Sequence, residues 1–67
     1  MDWKAIGKRI RARRRAMDMT QAQLAEAVGV CTSFIGHIEN GSRVMSLETF
    51  IGICRVLGVP LNSIVGE

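Results

Sequence analysis

Apolar residues recur along the chain at helical intervals of three and four positions, and no stretch sustains the alternation of a strand. The pattern predicts a first helix from an Asp2 cap to about Met17. At ~100° per residue, Trp3, Ile6, Ile10 and Met17 fall on one stripe and Lys4, Lys8, Arg11 and Arg15 on another. Arg14 projects onto the middle of the apolar stripe, where an unpaired charge is costly to bury. It needs a carboxylate partner.

Thr20 followed by Gln23 fits a capping box, in which each side chain satisfies a free backbone donor of the other residue. A second helix therefore starts at Gln21, continues through Leu24, Ala25 and Val28, and stops at Gly29. A third runs from Thr32 to Asn40, buries Ile35 and Ile38, and ends at Gly41 by the same logic. Ser46 caps a fourth, with Glu48 in its first turn, an apolar stripe of Leu47, Phe50, Ile51, Cys54 and Leu57, and a stop at Gly58. Leu61 to Val65 is long enough for one more turn. The expected fold class is all-α, five short helices in a single domain over residues 1–67, without repeat or linker.

Composition narrows what such a bundle can do. Sixty-seven residues allow one core and no two-lobed enzyme. Although 48% of the chain is apolar, no run approaches the ~20 apolar residues of a membrane span. The N-terminus leads into the basic run KRIRARRR rather than the apolar core of a signal peptide, so a cytoplasmic setting is expected. The net charge of +3 conceals an asymmetry. Of nine Lys and Arg residues, seven (Lys4, Lys8, Arg9, Arg11, Arg13, Arg14, Arg15) lie in the first helix. Such a field suits an anionic partner, nucleic acid or a membrane surface, and composition does not separate the two. Cys31 and Cys54 form no CxxC motif and there is one histidine, so neither a metal site nor a disulfide is expected. Nothing calls for a cofactor, a small-molecule substrate or a catalytic role; His37 has no second histidine or carboxylate to work with.

Helices two and three, joined by about three residues around Gly29, have helix-turn-helix spacing over about residues 21–40. A steep crossing over so short a turn needs a small residue at the contact (Ala25), a residue free to take positive φ (Gly29), and apolar anchors on the second helix (Ile35, Ile38). All four are present. From Thr20 to Val59 the chain reads TQAQLAEAVGVCTSFIGHIENGSRVMSLETFIGICRVLGV, and here it resembles the lambda-repressor-like, or Cro/repressor and XRE, DNA-binding domains. The combination TQxxLAxxxGV, IxxIENG, SLxxF and LGV is far more specific than a bare helix-turn-helix.

The resemblance implies that the third helix lies in the DNA major groove. It places Thr32, Ser33 and His37 where phage repressors carry base-reading side chains, and helical projection independently turns Thr32, Ser33, Gly36 and His37 outward. The hydroxyls suit several bases, the Thr32 methyl suits a thymine methyl, and His37 could donate to guanine O6 or N7. Gly36 either lets the backbone approach the bases or simply avoids a clash. By position in the family, Gln21 braces a phosphate at a helix N-terminus, and Asn40 and Arg43, with Ser42 beside them, contact phosphates across the groove; Asn40 also suits a plain helix cap. Phage repressors pair an arginine late in the first helix with a glutamate late in the third, which resembles Arg14 and Glu39; a phosphate is the alternative partner of Arg14. Lys8, Arg9, Arg11, Arg13 and Arg15 are minor phosphate candidates on a mostly solvated face. Cys31 stands where the family has a Ser or Thr cap, as a poor cap or a redox-sensitive thiol. Phe34 extends the core or wedges against DNA.

The expected function is a sequence-specific regulator of transcription that binds double-stranded DNA. It would be a repressor acting as a homodimer on a palindrome with half-sites ~34 Å apart. Leu61, Asn62, Ile64 and Val65 are the dimer candidates, since family dimers often join there. A restriction-modification controller falls within this reading. The alternatives are an antitoxin or protein-interaction adaptor, against which the lack of an extra tail argues, and a membrane-surface amphipath, which Arg14 suits poorly.

Overall fold

Side-chain caps set where three of the helices begin. A computed structural model describes residues 1–66, in which the elements are α1 (Trp3–Ala16), α2 (Gln21–Val28), α3 (Thr32–Glu39), α4 (Leu47–Leu57) and α5 (Leu61–Val65). Asp2 accepts from the Ala5 amide before α1, and Ser46 accepts from Thr49 before α4. Thr20 and Gln23 form both halves of the capping box at α2, with distances of 3.0 and 2.8 Å. Cys31 and Pro60 precede α3 and α5 without a side-chain cap. At the other ends, Gly29 and Gly58 take the left-handed conformation, at φ 88° and 67°, which spares the cost a Cβ would incur there. All five helices are where the sequence puts them. α3 ends one residue earlier than expected, with Asn40 as its cap.

The core collects residues from every helix. Ile6 and Ile10 of α1, Leu24 and Ala25 of α2, Ile35 and Ile38 of α3, Phe50, Ile53, Cys54 and Leu57 of α4, and Ile64 of α5 are buried, with Met45 from the loop before α4. Isoleucine is a mediocre helix former, so these helices owe their stability to packing rather than propensity. Two expectations about apolar faces are corrected. On α4 the buried stripe includes Ile53, whereas Leu47 is 68% exposed: in the first turn it lies at the rim of the bundle, lining surface grooves on either side. Met17 is also exposed, because α1 ends before it and it serves as the C-cap.

The packing of α1 on α3 is set by backbone contact. A Cβ at Gly7 would lie 2.3 Å from the Ile38 carbonyl oxygen and 2.6 Å from that of Glu39, and one at Gly41 would strike Lys4. Only glycine allows this approach. It brings the second half of α1 to the end of α3, where Arg14 meets Glu39.

Candidate nucleic-acid interface

With Ile35 and Ile38 turned inward, α3 presents Thr32, Ser33 and His37 to solvent and leaves Gly36 half-buried between them. The structure thus gathers the four base-reading candidates on one face. Phe34 is half-buried and packs on the core, so it extends the core rather than the exposed face.

Gln21 opens α2 and reaches over α3. Its Nε2 donates to Glu39 Oε1 at 3.1 Å, and both amide atoms lie 3.7 Å from where a Gly36 Cβ would sit. The side chain proposed to brace a phosphate therefore rests beside the base-facing residues, oriented by a carboxylate that sequence reasoning had assigned only to Arg14.

Glu39 is 1% exposed and Arg14 7%. Arg14 Nε donates to Glu39 Oε2 at 2.6 Å, and a terminal guanidinium nitrogen to Oε1 at 3.0 Å. The other terminal nitrogen donates to the Met19 carbonyl at 2.7 Å. With every guanidinium nitrogen engaged inside the fold, Arg14 is a structural residue and its reading as a phosphate contact is corrected. Burial on its own would push the Glu39 carboxyl up, but hydrogen bonds from Arg14 and Gln21 and the charge of Arg14 outweigh it and hold the group below the usual carboxylate range. The same bond with Glu39 raises Arg14 further.

The turn after α3 carries Asn40, Ser42 and Arg43, all exposed. Asn40 Oδ1 accepts from the Ser42 amide at 3.1 Å, so Asn40 acts as a cap and as an organiser of the turn. Ser42 Oγ lies 3.1 Å from His37 Nδ1 and 3.4 Å from the His37 carbonyl oxygen. Sequence reasoning did not foresee this contact, because a serine five residues after a histidine carries no signal until the turn is known.

The basic run divides by role. Arg9 donates to the carbonyls of Ile64 and Val65, both at 3.0 Å. Arg13 donates to that of Leu57 at 2.9 Å. These two arginines close the C-terminal ends of α5 and α4, where free carbonyls and the helix dipole favour a cation. Arg11 approaches Glu39 at 3.5 Å. Lys8 and Arg15 remain exposed. Cys31 is exposed, with its sulfur 3.4 Å from Ser33 Oγ; that hydroxyl, helped by backbone amides at the start of α3, draws the thiol below its ordinary pKa. Burial pushes the Cys54 thiol up.

Of the dimer candidates, Leu61 and Asn62 are exposed and Val65 is half-buried. Ile64 is 3% exposed and belongs to the core, so it is corrected as a contact residue. Leu61 and Val65 line an apolar groove with Met1, Trp3, Leu47 and Phe50. Among the described residues no helix is long and apolar enough to cross a membrane, and no three His, Cys, Asp or Glu side chains are grouped to hold a metal.

A family model described as helix-turn-helix matches residues 10–64. The chain is 37% identical over 62 residues to the immunity repressor protein of Bacillus phage phi105, covering 92% of this chain and 43% of that protein. It is equally identical, over 62 residues, to the antitoxin PezA of Streptococcus pneumoniae, covering 92% and 39%. The chain thus spans less than half the length of these two relatives. The solved restriction-modification controller protein C.AhdI from Aeromonas hydrophila superposes with a TM-score of 0.90 at 28% identity, covering 94% of this chain and 96% of that one. From its five-helix order, the geometry of α2 and α3 and the span of the family match, the chain belongs to the XRE-type, lambda-repressor-like helix-turn-helix family.

Proposed function

We propose that the chain is a sequence-specific regulator of transcription that acts on double-stranded DNA, a repressor that binds a palindromic operator in the cytoplasm as a homodimer. The observation that carries this reading is the exposed face of α3. Thr32, Ser33 and His37 are exposed together around the half-buried Gly36, while Ile35 and Ile38 anchor the helix from below. Gln21 sits at the N-terminus of α2 beside that face, where its side chain and the free amides of the helix suit a phosphate. Asn40, Ser42 and Arg43 flank the other end of α3. The name of the phage relative, an immunity repressor, agrees with the sense of regulation proposed.

Selection of binding sites from a random duplex pool tests this reading. A palindromic consensus is expected, and no enrichment at moderate salt would sink it. His37→Ala should relax preference at one base position per half-site, whereas Gln21→Ala should weaken all sequences alike. If both variants act alike, α3 is not placed in the groove as described.

The similarity to PezA favours one second reading, a DNA-binding domain that works within an antitoxin. Both readings use the same face of α3, so they part on partners. A toxin that co-purifies with this chain and tightens its hold on DNA would favour the second.

A further inference from the structure

We propose that Ser42 is a specificity-determining positioning residue, which fixes His37 as the Nδ1–H tautomer and so presents Nε2 to the DNA as a hydrogen-bond acceptor. The inference deepens the reading of α3 as the recognition helix and rests on it. Ser42 Oγ sits between two groups of the same residue, His37 Nδ1 at 3.1 Å and the His37 carbonyl oxygen at 3.4 Å. The serine has one hydroxyl proton and the carbonyl can only accept. If the hydroxyl donates to the carbonyl, it accepts from Nδ1–H and both contacts are hydrogen bonds. If it donates to Nδ1 instead, two acceptors face each other at 3.4 Å. The carbonyl accepts from the Ser42 amide in either case, and the first arrangement makes one hydrogen bond more. Ser42 is itself held in place: its amide is 3.1 Å from Asn40 Oδ1 and 3.0 Å from the His37 carbonyl oxygen.

The chemical consequence reverses the expectation from sequence. A neutral His37 with a bare Nε2 does not donate to guanine O6 or N7. It accepts from an exocyclic amino group in the major groove, adenine N6 or cytosine N4. Ser42, assigned from family position to a phosphate, would then choose the kind of base edge that His37 reads.

Two measurements on the intact chain test this. Long-range proton–nitrogen correlation of the single histidine should show the Nδ1–H form in the wild type and a shift of several-fold toward Nε2–H in Ser42→Ala. In the selected operator, the base pair whose preference His37→Ala abolishes marks the contact. Replacing its adenine by purine, or its cytosine by 2-pyrimidinone, should weaken wild-type binding about tenfold and leave His37→Ala binding unchanged. A 7-deaza purine at the same pair should have no effect. An Nε2–H imidazole in the wild type overturns the inference, as does a loss of affinity with the 7-deaza base alone. Failure to enrich any site overturns the DNA-binding reading and the base assignment with it, and the tautomer measurement then decides the role of Ser42 separately.

Discussion

Glu39 keeps its charge in the interior because Arg14, Gln21 and Arg11 all donate to it. Removing the carboxylate leaves Arg14 buried with one bond, to the Met19 carbonyl. Glu39→Ala is therefore expected to cost about 3 kcal/mol or more in urea unfolding; a loss below about 0.5 kcal/mol would mean that Arg14 is solvated. The pair should also govern behaviour in acid. A carboxyl whose folded pKa is depressed contributes stability that is fully present above its unfolded value of about 4.3, and lost as pH falls through the lower folded value. Between pH 5 and pH 3 the unfolding midpoint of the wild type should fall more steeply than that of Glu39→Gln. Equal slopes would show that other groups set the acid limit. The need for a partner was legible in the sequence because a charge on an apolar stripe demands a counter-charge, and the resemblance to phage repressors pointed to Glu39. The roles of Arg9 and Arg13 were not legible. Their acceptors are backbone carbonyls 44 to 56 positions away, and a carbonyl leaves no mark in a sequence.

At the scale of helices, caps and stops were readable because they are local. The burial of a helix face depends on its neighbours, which explains the misplaced Leu47 and the overlooked Ile53. Two helical glycines show the same division, since both look like weak points in a helix and only the packing tells them apart. Gly7→Ala would drive a methyl group into the backbone of α3 and is expected to destabilise the fold by about 2 kcal/mol or more, in the manner of an overpacked core. Gly36→Ala places its methyl at an ordinary contact distance of 3.7 Å from Gln21, and should gain up to about 1 kcal/mol from helix propensity. Thermal unfolding of the two variants should move in opposite directions. If Gly36→Ala also weakens operator binding while stabilising the fold, the missing side chain serves the approach to bases.

The molecule as a whole separates its proposed tasks in space. The face of α3 and its flanking turns carry the side chains proposed to meet DNA. The apolar groove is lined by residues before α2 and after α3, among them Met1, Leu47 and Leu61. Leu47→Asp tests the groove as the dimer contact. The substituted carboxylate falls in the first turn of α4, where a negative charge is tolerated, so the monomer should keep its stability while sedimentation shows weaker self-association and operator affinity falls. A dimer that survives this substitution would move the contact elsewhere. The sequence suggested Leu61, Asn62, Ile64 and Val65 for such a contact, and of these the groove takes in Leu61 and Val65. It did not reveal the shared groove, since that surface exists only once α1, α4 and α5 have packed.

Trp3 lies in this groove and is the sole tryptophan of a chain without tyrosine. Its fluorescence therefore belongs to one location. An event that covers the groove changes the surroundings of the indole, whereas a ligand confined to α3 touches none of the residues around it. The indole is thus a built-in optical probe of the groove, one that registers its covering without any label.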